Sequence, residues 1–320
     1  MHRAFAALLP MVLATSALPA HAGTQTGNIL MPVDTIERRL RQDTLLIRDW
    51  RGSRMEQDRT QRVLLAYPDS SVMLVKWAKA VPGGSAFNNE PRYELAAYEI
   101  QKLFLGEPEY VVPPTVARAV PLVFVNQYDA SARATFDDAP GSVLVVLQYW
   151  LFAVTNENFW DEKRFERDTV YARHLANMNV LTHLIRHGDE NTGNFLIALD
   201  SIRPRLFSVD NGVSFRSEVS DRGYAWRNLR VDRLPHATVE RLRAVTEAEL
   251  SQRLGVLVQF EVRNGMLIAV EPTANLDDDR GIRRRDGLVQ IGLTRAEIHD
   301  VYRRLERLLE RVDEGRITTF

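Results

Sequence analysis

The 320-residue chain has no cysteine. Disulfides and a cysteine-borne lipid are therefore excluded, and the core alone must hold the fold together. Neither sign of charge is in excess, with 41 Lys and Arg against 42 Asp and Glu, so nothing in the balance points to nucleic acid or to bulk attraction to a membrane. Internal repeats and low-complexity tracts are missing. Past the N-terminus, no apolar segment reaches the ~20 residues that a bilayer-crossing helix needs. What is present is an ordinary globular composition, 45% hydrophobic and 26% charged, in a chain long enough to bury a core without staples.

At the N-terminus, Arg3 precedes an apolar run from Ala4 to Leu18, which closes on the small residues of Ala20-His21-Ala22. This pattern reads as a secretory signal peptide over residues 1–22, cleaved after Ala22. A retained anchor is disfavoured because the run is short and broken by Pro10, Thr15, Ser16 and Pro19. The expectation is an exported protein, with a bacterial periplasm as the best-fitting compartment. Residues 23–43 then read as an N-terminal extension to the folded domain.

Thr44 to Trp50, Arg62 to Tyr67 and Val72 to Ala78 are short stretches rich in Leu, Val and Ile between polar linkers, which predicts antiparallel strands. From Pro91 to Leu105, apolar residues recur at spacings of three and four through Tyr93, Ala96, Ala97, Ile100, Leu103 and Phe104, which predicts a half-buried helix. Pro113 and Pro114 punctuate the chain before two further strand candidates, Val120 to Tyr128 and Ser142 to Tyr149. Residues 44–150 thus read as a five-stranded sheet with one helix, and 151–320 as mainly helical.

The chemistry-bearing residues concentrate in His187-Gly188-Asp189-Glu190-Asn191-Thr192-Gly193-Asn194 and in Leu206-Phe207-Ser208-Val209-Asp210-Asn211-Gly212. A helical pattern over Val170 to Ile185 delivers the first segment. Two short strands, Phe195 to Leu199 and Leu206 to Val209, then flank a turn, which can bring Asn194 and Asp210 to neighbouring strand ends. A carboxylate and an amide oxygen converging there suit a hard cation that already carries phosphate oxygens. Asp189, five residues before Asn194, can face the nucleophile.

Gly188-Asp189, Asn194 and the run Leu206-Phe207-x-x-Asp210-x-Gly212-x-x-Phe215 resemble the catalytic and metal-binding loops of phosphatidylinositol 3- and 4-kinases. They are similar also to HipA-like bacterial kinases and to secretory-pathway kinases of the Four-jointed type. The resemblance implies an α+β, two-lobed protein-kinase-like fold that binds ATP with Mg2+ or Mn2+. It assigns Asp189 to the acceptor hydroxyl, and Asn194 and Asp210 to the metal. Such a fold also requires a strand lysine and a helix glutamate. Lys76, in the apolar strand Val72 to Ala78, and Glu94, opening the helix, occur in that order, and a lysine buried in an apolar strand needs a partner. Lys79 with Glu99 is the rival pair. Lys79 falls at the strand end, and Glu99 points away from the face carrying Tyr93, Ala96 and Ala97.

The departures place the chain among atypical kinases. Gly52 is the only glycine between Trp50 and Gln61, so a glycine-rich phosphate cover is missing, and backbone amides with Ser53 or Arg54 are the candidates to replace it. Asn211 stands where ordinary kinases have phenylalanine, and His187-Gly188-Asp189 replaces His-Arg-Asp. His187 is read as structural, His183 as core or helix surface, and neither as a metal ligand. Asp277 to Asp279 beside Arg283 to Arg285 read as a solvated loop, since no closing glutamate follows at the calcium-loop position.

Val256 to Val262 and Met266 to Glu271 around Asn264-Gly265 predict a β-hairpin, read as an embellishment of the helical lobe. Thr294 to Glu297 form a capping box opening a last helix. The function these expectations converge on is an exported atypical kinase that moves the ATP γ-phosphate to a hydroxyl of a protein or small molecule. An ATP-binding pseudokinase that regulates a partner, or an enzyme of the same fold that transfers AMP or ligates an amino acid, are the alternatives.

Overall fold

A computed structural model describes residues 27–52, 60–85, 90–189, 191–215 and 227–320. The signal-peptide reading and the expected phosphate contacts of Ser53 and Arg54 lie outside the described residues. The first element is α1 (Val33–Gln42), in a segment where the sequence reading placed none. Its Ile36 and Leu40 are fully buried beneath the first sheet. Asp34 in the first turn and Arg39 and Arg41 in the last complement its dipole.

Next come β1 (Leu46–Arg51), β2 (Thr60–Ala66), β3 (Val72–Lys79), α2 (Pro91–Gln101), β4 (Thr115–Pro121), the single turn α3 (Leu122–Val125) and β5 (Ser142–Tyr149). The strands form one antiparallel sheet in the order β1-β2-β3-β5-β4. Every residue of β5 is buried, as befits a mainly apolar run covered on both faces. The expected strand Val120 to Tyr128 is corrected: the strand lies earlier, at β4, and the chain turns helical after Pro121. Pro121, which has no N–H to give a ladder, is tolerated because β4 is an edge strand. Its φ of −55° also suits helix entry.

The remainder runs β6 (Val154–Thr155), α4 (Glu162–Arg167), α5 (Thr169–Leu184), β7 (Phe195–Ala198), β8 (Leu206–Ser208), β9 (Arg233–Leu234), α6 (His236–Ala244) and α7 (Glu247–Leu254). Four more strands follow, β10 (Val258–Arg263), β11 (Met266–Val270), β12 (Ile282–Arg285) and β13 (Leu288–Ile291), then α8 (Arg295–Asp313) and β14 (Thr318–Thr319). Helix α5 is buried on nearly all sides and forms the spine of the helical lobe. Asp168 starts it by accepting from the amides of Val170 and Tyr171. One apolar cluster joins α2 to α5, α6, α7 and α8, and a second underlies the first sheet. Among the described residues, no helix is long and apolar enough to cross a membrane.

The hairpin around Asn264-Gly265 is present as β10 and β11, but it belongs to a four-stranded sheet in the order β11-β10-β13-β12. That sheet packs on the N-terminal sheet: Phe260, Leu267, Val289 and Ile291 share a cluster with Ala80, Phe136 and Leu144, and the Gly141 amide donates to Gly265 O at 2.9 Å. The reading of the hairpin as an embellishment of the helical lobe is corrected accordingly. Arg283 is corrected too. It is buried in β12, where its guanidinium donates to the carbonyls of Asp277, Gly255 and Leu293. Asp278 and Asp279 remain exposed and pair with Arg295.

Candidate active site

Helix α5 ends as Arg186 enters the left-handed region at φ 51°, and the His187 amide returns to Thr182 O at 2.9 Å. The side chain of His187 is fully buried against Phe195, and its Nδ1 accepts from the Asp189 amide at 3.3 Å. Burial lowers its pKa to about 4, against the opposing pull of the Asp189 and Asp210 charges. The imidazole is thus neutral and serves to shape the loop. Gly188 donates to Val213 O at 2.7 Å, and a Cβ at Gly188 would stand 3.0 Å from that oxygen. Only glycine lets these two strands of chain approach so closely.

Asp189 Oδ1 accepts from the Asn191 amide, and Oδ2 from Asn194 Nδ2, both at 3.0 Å. Asn194 spends its amide nitrogen on Asp189, which leaves Oδ1 as its acceptor. The Asn194 carbonyl in turn accepts from Val209 N at 2.9 Å, and Phe195 pairs with Ser208 in the β7–β8 ladder. The turn between these strands therefore delivers Asp210 beside Asn194. Asp210 itself sits at φ 58°, a conformation that aspartate tolerates better than most residues.

Lys76 Nζ lies 2.9 Å from Glu94 Oε1 and 2.9 Å from Asp210 Oδ1. Glu94 is buried, 4% exposed at its side chain, whereas Asp210 is 55% exposed. The other Glu94 oxygen accepts from the Asn211 amide at 3.0 Å. Burial works against the Lys76 charge, but the Asp210 and Glu94 carboxylates more than offset it and raise the lysine's pKa. Burial raises the Glu94 pKa despite Lys76, and the Lys76 charge lowers that of Asp210. The half-exposed Asp210 carboxylate and the Asn194 amide oxygen are hard donors of the kind that bind Mg2+ or Mn2+ through oxygen. The donor set fits such an ion.

Neither a protein-family model nor a curated protein sequence matches the chain, but solved structures do. The structure of hydra Fam20 with sugar aligns over 89% of this chain and 89% of its own, with a TM-score of 0.56 at 13% identity. That of the Golgi casein kinase aligns over 89% of this chain and 77% of its own, with a TM-score of 0.51 at 11% identity. The chain has the kinase-like fold of Fam20. The expected α+β architecture, an antiparallel N-terminal sheet joined to a helical lobe, is the one observed. The fold likeness is to Fam20 and to the Golgi casein kinase. The comparison with phosphatidylinositol and HipA-like kinases rests on the loop residues.

In this kinase-like fold, the rival residues Lys79 and Glu99 are engaged elsewhere. Lys79 pairs with Asp129 and bonds Ser131, while Glu99 pairs with Lys102 and Arg253. Sequence reading noted Asn211 only as a departure, yet its amide holds Glu94 and its side chain exchanges bonds with Ser208. It also passed over Gln101, which is fully buried late in α2 and bonds the backbone of Val111 and Val112, fixing the helix against the following loop. A long polar residue among the apolar positions of α2 was the available signal.

Proposed function

We propose that this protein is an exported atypical kinase that uses ATP with Mg2+ or Mn2+ to phosphorylate a hydroxyl on a protein or small molecule. The observation that carries the reading is Lys76 Nζ held 2.9 Å from both Glu94 and Asp210, residues contributed by the strand, helix and loop of two lobes. An ammonium braced by a buried carboxylate is a fixed positive charge for nucleotide phosphates. Asp210 and Asn194 would hold the metal, which screens the phosphate charge. Asp189, oriented by the Asn191 amide and by Asn194, is the group to take the acceptor's proton. The new bond joins that oxygen to the γ-phosphorus, and the bond to ADP breaks. Export rests on the N-terminal pattern and predicts a mature chain beginning at Gly23.

The test is incubation of the mature protein with γ-labelled or α-labelled ATP and Mn2+, alone and with exported proteins as acceptors. Label passing to an acceptor from the γ position only supports the kinase. Retained α label means AMP transfer, and an ATP-dependent rise in Tm with neither label moved means a binding module; either result overturns the proposal.

A further inference from the structure

Helix α2 carries Glu94, and apolar packing alone does not fix where that carboxylate stands. The helix is buried on nearly all sides, but apolar contact has no direction, so it leaves small slides and rotations of a packed helix inexpensive. Directional bonds must set the register. At the C-terminal end Gln101 supplies them. At the N-terminal end, beside Glu94, they converge on one residue of α8.

That residue is Glu297, in the first turn of α8 and only 3% exposed at its side chain. Its Oε1 accepts from the Tyr93 hydroxyl at 2.5 Å, and its Oε2 from Arg92 Nη1 at 2.5 Å. Oε2 accepts also from the Thr294 amide at 2.8 Å, the capping-box bond that starts α8. Room for the Arg92 guanidinium comes from Gly281, where a Cβ would stand 2.6 Å from the guanidinium carbon. Burial works against the Glu297 charge, but the charge and hydrogen bond of Arg92 and the bond from Tyr93 outweigh it and hold the pKa below the usual carboxylate value. The carboxylate is therefore ionised, with a donor on each oxygen.

The tie continues into the site. The Tyr93 ring packs on Phe215, with centroids 5.1 Å apart, and the Glu90 amide, at the start of α2, donates to Gly212 O at 3.3 Å. Phe215 and Gly212 belong to the loop that carries Asp210. Next to Tyr93, Glu94 accepts from the Asn211 amide of the same loop. Glu297 thus reaches the Asp210 loop through Tyr93 and Phe215, and Glu94 through the backbone of α2.

We propose that Glu297 is a positioning residue for the Lys76, Glu94 and Asp210 cluster, fixing the register of α2 from the helical lobe so that Glu94 meets Lys76 and the Asn211 amide together. Phosphoryl transfer of the kinase type needs the strand lysine and the helix glutamate both in place. The part Glu297 plays in turnover therefore rests on the kinase reading, whereas its hold on α2 does not.

The test compares Glu297→Ala with Thr294→Ala. Each breaks the capping box of α8, but only the first releases Arg92 and Tyr93 from that helix. Tyr93→Phe is the milder second variant: it keeps the ring on Phe215 and loses the bond to Glu297. Amide hydrogen exchange read by mass spectrometry, without nucleotide, follows peptides from α2, from residues 206–215 and, as the internal reference, from α5. Relative to α5, exchange in α2 and in 206–215 should speed up at least about tenfold in Glu297→Ala, and by less in Tyr93→Phe. Thr294→Ala should leave that ratio as in the parent. With ATP and Mn2+, kcat per folded molecule should fall about tenfold or more in Glu297→Ala and stay within about twofold in Thr294→Ala.

The proposal is overturned if both Glu297→Ala and Tyr93→Phe keep the parent's ratio, or if α5 speeds up in step with α2 and the loop, which is the mark of lost global stability alone. It is overturned equally if Thr294→Ala loosens α2 as much as Glu297→Ala does. Should Glu297→Ala not fold, Tyr93→Phe decides by the same ratio. A parent that moves no phosphate overturns the kinase reading, and the exchange ratio still decides whether Glu297 holds α2.

Discussion

The backbone N–H of Asn211 donates to Glu94 Oε2 at 3.0 Å, while Glu94 Oε1 accepts from Lys76 Nζ at 2.9 Å. One carboxylate thus joins β3, α2 and the loop after β8. The helix carrying it is itself anchored at both ends. Gln101 bonds Val111 and Val112 at one end, and at the other Arg92 and Tyr93 both reach Glu297 of α8. A displacement of α2 would therefore move the lysine, Asp210 and the C-terminal helix together.

Lys76→Met leaves Glu94 buried without its cation. Breaking such a pair costs about 3 kcal/mol, whereas replacing both members by apolar groups is often neutral. Urea denaturation should show the single variant destabilised by about that amount, and Lys76→Met/Glu94→Leu recovering most of it. Phosphoryl transfer should stay lost in both. If the double variant is no more stable than the single one, the pair is not the reason for the cost.

The two loop aspartates should separate in function. Asp189→Ala removes the group facing the acceptor and should lower kcat by about two to four orders of magnitude, with the ATP- and Mn2+-dependent rise in Tm retained. Asp210→Asn keeps a residue that accepts φ 58° but withdraws the charge from metal and lysine, and should abolish that rise. Because the Asp210 carboxylate is 55% exposed, its pairing with Lys76 adds little stability, and the unliganded Tm should move by only a few degrees.

Gly188→Ala tests the close approach of the two loops. The new Cβ would stand 3.0 Å from Val213 O and 3.1 Å from Val213 Cγ1, so the loops must part. A cost of about 1–3 kcal/mol is expected, together with a fall in kcat larger than any rise in KM for ATP. A variant as stable and as active as the parent would show that the contact is slack.

Much of this arrangement was legible because it follows from local rules. Lys76 inside Val72 to Ala78 announced a partner, since an apolar strand does not bury a lone ammonium. The capping box of Thr294 and Glu297 marked the start of α8 from four residues. What stayed hidden depends on distant segments. Arg283 sits in a run of three arginines that reads as solvated, yet it is buried because carbonyls of Asp277, Gly255 and Leu293 converge on it. The helix α1 is short and follows proline, and its apolar stripe gains meaning only from the sheet it covers. Val120 to Tyr128 is apolar enough for a strand, and the entry into the helical turn α3 after Pro121 decided otherwise.

His174, buried in α5, gives the stability a pH dependence. Burial lowers its pKa from 6.5 to about 4, the Arg205 and Arg173 charges add to the effect, and Asp168 opposes it. The unfolded chain takes up a proton near pH 6.5, and the folded chain only near pH 4. Stability from this site is therefore intact above pH 6.5, falls as the pH drops from there to about 4, and falls no further below. The shift corresponds to about 3 kcal/mol. Urea denaturation at pH 7 and pH 4 should show the parent losing about that much more stability than His174→Leu, whose side chain cannot be protonated. Equal losses in the two proteins would mean that His174 is charged within the fold, or that water reaches it.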